Sequence, residues 1–210
     1  MQVMKDSDLG LLYSYYRMSP ETFDSLHGLV GERLTMERLC REPLSSGERL
    51  ALTLRYLSSG MRIPDVAMAF RVGKETARQA IHLTCLVLWE ELSPIYMKLH
   101  SSTYGACFLG TGGGTVVECR RCVENAFGIL ASRWSIYDRR INLELENAEN
   151  VVKATCVLHN FLCISKGAAA HNCPPGYADV EDTFGNVREG AWRAERGGGA
   201  AMFELQGAKA

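Results

Sequence analysis

The chain has 210 residues, 47% of them hydrophobic, and a formal net charge of −1. That is enough apolar surface to bury a sizeable core in one domain or two small ones. It is too little positive charge for the uniformly basic surface of an autonomous DNA binder, because neutralised phosphates supply most non-specific affinity, so any nucleic-acid contact is expected from local patches. The eight cysteines sit in apolar contexts and the opening residues Met1 to Asp6 do not read as a signal peptide, which predicts reduced thiols in an intracellular protein. No apolar run reaches the roughly 18 to 20 residues of a membrane span, so a soluble chain is expected.

In chain order, Ser19-Pro20-Glu21-Thr22 supplies an N-cap, a proline at the first helical position and an acid in the first turn. Phe23, Leu26, Leu29 and Val30 follow at helical spacing and predict a helix over 20–31. Ser45-Ser46-Gly47-Glu48 is a capping box ahead of Leu50, Leu54 and Leu57, with Gly60 placed as a C-terminal stop. From Pro64 a short amphipathic segment carries Val66, Ala67 and Phe70, and Arg71-Val72-Gly73 breaks the pattern. A longer helix over 74–92 then lines up Ala77, Ile81, Thr84, Cys85 and Leu88 on one face. Two helices joined by a tight, Gly-containing turn have helix-turn-helix geometry, whose second helix can enter a major groove. Lys74, Arg78, Gln79 and His82 are the candidate DNA contacts, and a solvated face of a plain helical bundle is the alternative reading of the same residues.

Residues 101–117 change character, with Gly105, Gly110, Gly112, Gly113 and Gly114 marking a junction. The run lacks the lysine of a phosphate-binding loop, so a linker is the expectation. A helix over 117–132 repeats Val123, Ala126, Phe127 and Leu130 toward a core, and Trp134, Ile136 and Tyr137 suggest a short extended segment. A long helix over 145–165 presents Val151, Val152, Thr155, Leu158, Phe161 and Leu162. After Lys166 the chain is rich in Gly, Ala and charge, which predicts a largely disordered tail over 167–210.

The run Arg120-Arg121-Cys122-Val123-Glu124-Asn125-Ala126-Phe127-Gly128-Ile129-Leu130 sets one carboxylate among basic residues on an amphipathic helix. Together with Leu158-His159-Asn160-Phe161-Leu162 it resembles the C-terminal end of the catalytic domain of PIF/Harbinger transposases and the nucleases derived from them. Met18 to Asp24 and Glu48 to Leu57 look similar to the helical N-terminal region of the same family. The resemblance implies a mainly α chain: an N-terminal helical bundle with helix-turn-helix over 1–100, the Gly-rich junction over 101–117, a remnant of an RNase H-like DDE nuclease domain over 118–166, and the tail. It also implies a nuclear DNA endonuclease that uses a divalent cation, Mg²⁺ or Mn²⁺, and works with a Myb-like DNA-binding partner. Glu124 matches the family's third metal-binding acid, making it the candidate catalytic and metal residue, with Arg120 and Arg121 as flanking DNA contacts. The family's first two aspartates lie on strands upstream, and no aspartate stands between Pro94 and Val117.

Two-metal phosphodiester chemistry needs ions roughly 4 Å apart, clamped by several carboxylates on rigid elements. Glu118, six residues before Glu124, points about 120° away from it on an ideal helix, so the pair does not share an ion. Asp6, Asp8, Asp24, Asp65, Asp138, Asp179 and Asp182 all fall outside the family's strand contexts. An equally physical reading of Glu124 is a surface acid paired with Arg120 or Arg121. Cys119-x-x-Cys122 is half of a zinc site without a second half, and Cys156, His159 and Cys163 share one helix, where packing is the simpler role. Three functions stay open: a catalytically impaired DNA or protein binder, an active nuclease with another acid set, and a non-DNA interaction module. Helices that pack on a sheet in the family must here collapse on the N-terminal bundle or bury their apolar faces against a partner, a second copy included.

Overall fold

The computed structural model describes residues 9–35, 44–97, 116–164, 174, 176–181 and 186–195, with side chains described from 13 onward and, in the second half, from 124. Helix α1 (Leu9–Tyr16) leads into α2 (Pro20–Leu34), which starts where Ser19 Oγ accepts a hydrogen bond from the Thr22 amide at 3.3 Å. Helix α3 (Ser46–Ser59) begins with the full capping box: the Glu48 amide donates to Ser45 Oγ at 3.3 Å, and the Ser45 amide donates to the Glu48 carboxylate at 2.9 Å. Both starts follow the sequence because each cap satisfies amides that a helix leaves free. The Ser58 hydroxyl donates to the Tyr15 carbonyl at 2.7 Å, and the Arg55 guanidinium stacks 3.7 Å from the Tyr15 ring centre, which fixes α1 on α3.

Helix α4 (Ile63–Ala69) and helix α5 (Lys74–Tyr96) are joined by the four-residue turn 70–73, in which Arg71 takes a left-handed φ of 55°. Helix α5 runs four residues beyond the expected end, because Pro94 lies exposed near its last turn and removes one hydrogen bond without ending the helix. Helix α2 likewise continues to Leu34, which is fully buried and extends the stripe of Leu26 and Val30. Leu29, expected in that stripe, is 41% exposed.

The second half adds α6 (Val116–Arg133), a 3₁₀ turn (Ser135–Asp138) and α7 (Leu145–Ile164). The expected extended segment at 134–137 is instead this turn. Trp134 is fully buried and Ile136 nearly so, and the coil is fixed by its neighbours: its Ser135 carbonyl lies against Gly60 and its Tyr137 against α7. Tyr137 holds the turn to α7: the Thr155 hydroxyl donates to the Val152 carbonyl at 2.8 Å, so the Tyr137 hydroxyl is the donor to Thr155 Oγ1. Burial pushes the Tyr137 phenol above its ordinary range.

Helices α5 and α7 form the most extensive helix–helix contact among the described residues. Ile81, Cys85, Leu88 and Leu92 of α5 and Val151, Ala154, Leu158, Phe161 and Leu162 of α7 belong to one core that also takes in α2, α3, α4 and Trp134. Each fully buried Leu or Ile contributes roughly 1.5–3 kcal/mol of transfer free energy before entropy is set against it. The Tyr96 and Phe161 rings meet edge-on at 5.3 Å, and Asn160 Nδ2 donates to the Tyr96 carbonyl at 3.1 Å, closing the end of α5. The C-terminal helices have thus folded onto the N-terminal bundle.

The tail departs from the disorder expected of it. Among its described residues, β1 (Val180–Glu181) and β2 (Val187–Arg188) form an antiparallel ladder, followed by α8 (Trp192–Glu195). Tyr177 and Trp192 pack with Ile129 of α6 into a second small core. Averaged composition hides two large aromatics that bury against a preformed helix.

Gly60 joins the halves. It caps α3 at φ 61°, and a Cβ there would stand 2.4 Å from the Ser135 carbonyl oxygen of the 3₁₀ turn. Gly60→Ala is expected to cost about 2 kcal/mol or more, combining left-handed strain with a backbone clash; urea unfolding of the two proteins measures it.

Candidate functional site

The helix with the acidic–basic motif divides into three faces over 124–133. Leu130 and Arg133 turn toward the main core, and Glu124 and Phe127 turn to solvent, Phe127 being 66% exposed although its spacing predicts a core position. Asn125, Gly128 and Ile129 face the tail. Asn125 is buried and makes three hydrogen bonds there: Oδ1 accepts from the Asp179 amide and from Trp192 Nε1, both at 3.2 Å, and Nδ2 donates to the Asp179 carbonyl at 3.2 Å. Gly128 lets the Trp192 ring lie on the helix backbone, since a Cβ there would stand 2.3 Å from the ring.

Asp179 closes this clasp. Its carboxylate accepts from the Gly190 amide at 2.7 Å and from Arg193 Nε at 3.0 and 3.2 Å, with a further ion pair to Arg193 Nη2. Burial opposes ionisation of Asp179, but Arg193 and the Gly190 amide outweigh it and hold the carboxyl below the usual range. Arg193 is raised above its ordinary value, first by Asp179 and more weakly by the nearby charge of Glu124. Glu124 therefore lies exposed beside a guanidinium that another carboxylate already engages.

Residues 115–160 match the family model for DDE superfamily endonucleases. No curated protein and no solved structure matches the chain. The match begins in the Gly-rich junction and ends at Asn160, so it spans α6, the 3₁₀ turn and most of α7. It supports a nuclease-like, transposase-derived origin for this segment and, through the family, DNA as substrate and a divalent metal as cofactor. Among the described residues no three His, Cys, Asp or Glu side chains converge on a point that could hold a metal ion. Asp179 is committed to Arg193, and Glu124 faces the same cation. The side chains of Arg120 and Arg121, and the half-zinc pair Cys119 and Cys122, lie outside the described residues, as does the glycine run of the junction.

His159 and Asn160, the other pair carried by the resemblance, do structural work here. Asn160 also meets Met97 Sδ at 3.1 Å besides capping α5, and buried His159 accepts on Nδ1 from Arg133 Nη1 at 3.2 Å.

A second concavity lies elsewhere, between the α4–α5 turn, the 3₁₀ turn and the segment 139–144. It has a volume of about 700 Å³ and is lined by Arg62, Lys74, Arg78, Arg139 and Arg140, with Glu144 as the one acid on its wall. Arg62 is paired with Asp65 at 2.9 Å and Arg78 with Glu75 at 3.6 Å. Tyr56, Ile136, Ile141 and Leu143 supply apolar wall. His82 also lines the groove, and its Nε2 is shielded without a hydrogen-bond partner. Burial, with Arg78, holds His82 below the ordinary histidine range. Gly73 offers no side chain to the free amides of the first turn of α5, which stay open to water or an anion. Of the four predicted contacts on α5, Lys74, Arg78 and His82 share the groove; Gln79 is exposed but outside its lining. Arg62, Arg139 and Arg140 were not anticipated, although the Arg139-Arg140 doublet was visible as a basic patch.

Asp179→Asn removes the charge that joins Arg193 to the Gly190 amide. Opening of 186–195 is expected to become about ten-fold more frequent, in line with losing part of a buried hydrogen-bond network worth roughly 1–3 kcal/mol. Because Asp179 is held below its unfolded pKa, the clasp is stable above that value and loosens as pH falls through the carboxylate range. Hydrogen exchange of these amides against pH reports both effects.

Proposed function

We propose that this chain is a Harbinger-type, transposase-derived DNA-binding protein whose nuclease segment serves as scaffold rather than as catalyst. Helices α4 and α5 act as a helix-turn-helix, and the groove beside the α5 N-terminus takes the phosphate backbone. The observation that carries this reading is the set of five cations, Arg62, Lys74, Arg78, Arg139 and Arg140, around one concavity. The sequence is nearly neutral, so this concentration is local and fits backbone contact rather than a generally basic surface. Glu124 keeps the family's position without its partners, and no step is routed through a metal. The Harbinger resemblance suggests a nuclear protein that works beside a Myb-like DNA-binding protein, and the modest cation count suits a protein that shares its DNA contacts with a partner. An interaction module without DNA has less support, since the apolar faces of α5 and α7 are buried against each other.

Binding of duplex DNA, followed by fluorescence anisotropy against salt, tests the groove. Each phosphate neutralised contributes about 0.9 to the slope of log K on log salt, so Arg139→Glu with Arg140→Glu is expected to weaken binding by at least ~10-fold and flatten the slope by about 2. Unchanged affinity and slope would remove the groove from the reading. Supercoiled-plasmid nicking in Mg²⁺ or Mn²⁺, run beside Glu124→Gln, tests the scaffold role. Metal-dependent nicking abolished by that substitution would establish a working nuclease instead.

The groove also predicts a pH dependence. His82 faces Arg78, Glu75 and Glu144 and is depressed in the free protein. The negative charge of a phosphate held in the groove would favour the charged ring, so binding takes up a proton and affinity rises as pH falls from about 7.5 toward 5.5. His82→Gln should abolish that rise.

A further inference from the structure

Three described cysteines occupy three environments. Cys85 is fully buried in the main core, where burial pushes its thiol up to about 12, and burial also raises Cys156. Cys163, on the last turn of α7, is only half-buried and meets polar donors rather than hydrocarbon. His159 Nε2 lies 3.6 Å from its sulfur, one turn earlier on the same helix, and Arg133 Nη1 reaches it at 4.0 Å from the end of α6.

Connectivity fixes the protons. A guanidinium can only donate, so the 3.2 Å contact from Arg133 Nη1 makes His159 Nδ1 the acceptor. The ring proton therefore sits on Nε2, the nitrogen that faces Cys163. Two N–H groups, one of them cationic, converge on Sγ, and both contacts strengthen when the sulfur carries negative charge. His159 and Arg133 are themselves buried, so neither is free to turn to water.

We propose that Cys163 is a reactive thiol, held toward its thiolate by Arg133 and His159, and a modification site for small two-electron oxidants of the peroxide class. The sulfur attacks one peroxide oxygen, a sulfur–oxygen bond forms and the oxygen–oxygen bond breaks. Thiolate and hydrogen peroxide yield sulfenic acid and hydroxide, which takes its proton from solvent; sulfur loses two electrons and the peroxide gains them. Arg133 and His159 are positioning residues that hold the sulfur and take no part in the bond changes. The same sulfur helps hold Arg133, and so the end of α6, against α7. Oxidation inserts an oxygen at this junction and weakens it, coupling redox state to the placement of the helix that bears the clasp.

The native full chain decides the matter through alkylation with iodoacetamide over pH 6 to 8.5, with each cysteine peptide quantified by mass spectrometry. An ordinary thiol loses about ten-fold in rate per pH unit below its pKa of roughly 8.5. Cys163 is expected to react at least ~10-fold faster than Cys85 and Cys156 at pH 7 and to lose much less than ten-fold per unit below it. A rate no greater than that of Cys156, or the slope of an ordinary thiol, would overturn the proposal. Arg133→Lys should keep part of the flat profile and Arg133→Gln should restore the ordinary slope. If neither variant folds, the wild-type profile still decides, together with dimedone capture of sulfenic acid at Cys163 after hydrogen peroxide treatment. Absence of that adduct in protein with a flat profile would overturn the oxidant class.

Discussion

The packing of α5 on α7 is the constraint on which the rest of the molecule depends. One helix comes from the N-terminal region and the other from the segment that matches the DDE endonuclease family. Helix α7 buries its apolar stripe chiefly on α5, which also packs on α2, α3 and α4. The hydrophobic effect is indifferent to which surface removes water from Leu158 or Phe161. Helix α7 finds that dry face on α5. The result is one continuous core shared by the N-terminal helices and the segment that matches the DDE endonuclease family.

Both candidate sites follow from that contact. Seating α7 on α5 brings the loop before it, with Arg139 and Arg140, over the start of α5, and so builds a groove from segments more than fifty residues apart. Arg62 and Arg78 are partly neutralised by Asp65 and Glu75, which leaves the field of the groove to Lys74, Arg139 and Arg140. On the other side, α6 projects from the same junction and offers Asn125, Gly128 and Ile129 to the tail. The motif that most resembles a nuclease helix is thereby used as a docking face. Its acid, Glu124, stands at the edge of that face, where its charge adds to that of Asp179 in raising Arg193.

A buried polar side chain reads as catalytic until its partners are known. Asn125, His159 and Asn160 each spend their hydrogen bonds on backbone or on a neighbouring cation. These bonds bring together segments distant in sequence, which makes them costly to leave unmade. Their presence in a nuclease-like motif is explained by geometry that the scaffold needs whether or not it cuts DNA.

Local rules were legible in the sequence because each is satisfied within a few residues. The caps at Ser19 and Ser45, the stop at Gly60 and the stripe Ala77, Ile81, Cys85 and Leu88 need no distant partner to be recognised. The break at Arg71-Val72-Gly73 and the cations Lys74 and Arg78 were equally plain. What depends on long-range packing was not. The 3₁₀ turn at 135–138 is held by partners distant in sequence, Gly60 at the cap of α3 and Thr155 of α7, and Phe127 faces solvent because Gly128 and Ile129 are claimed by Trp192. The packed part of the tail was hidden because composition averages two decisive aromatics with many glycines, while their burial depends on α6 being in place. The sequence by itself determined the helices, their caps and the cations. Only the tertiary structure decided which faces meet, because burial is a property of pairs of surfaces and a single chain segment carries just one of them.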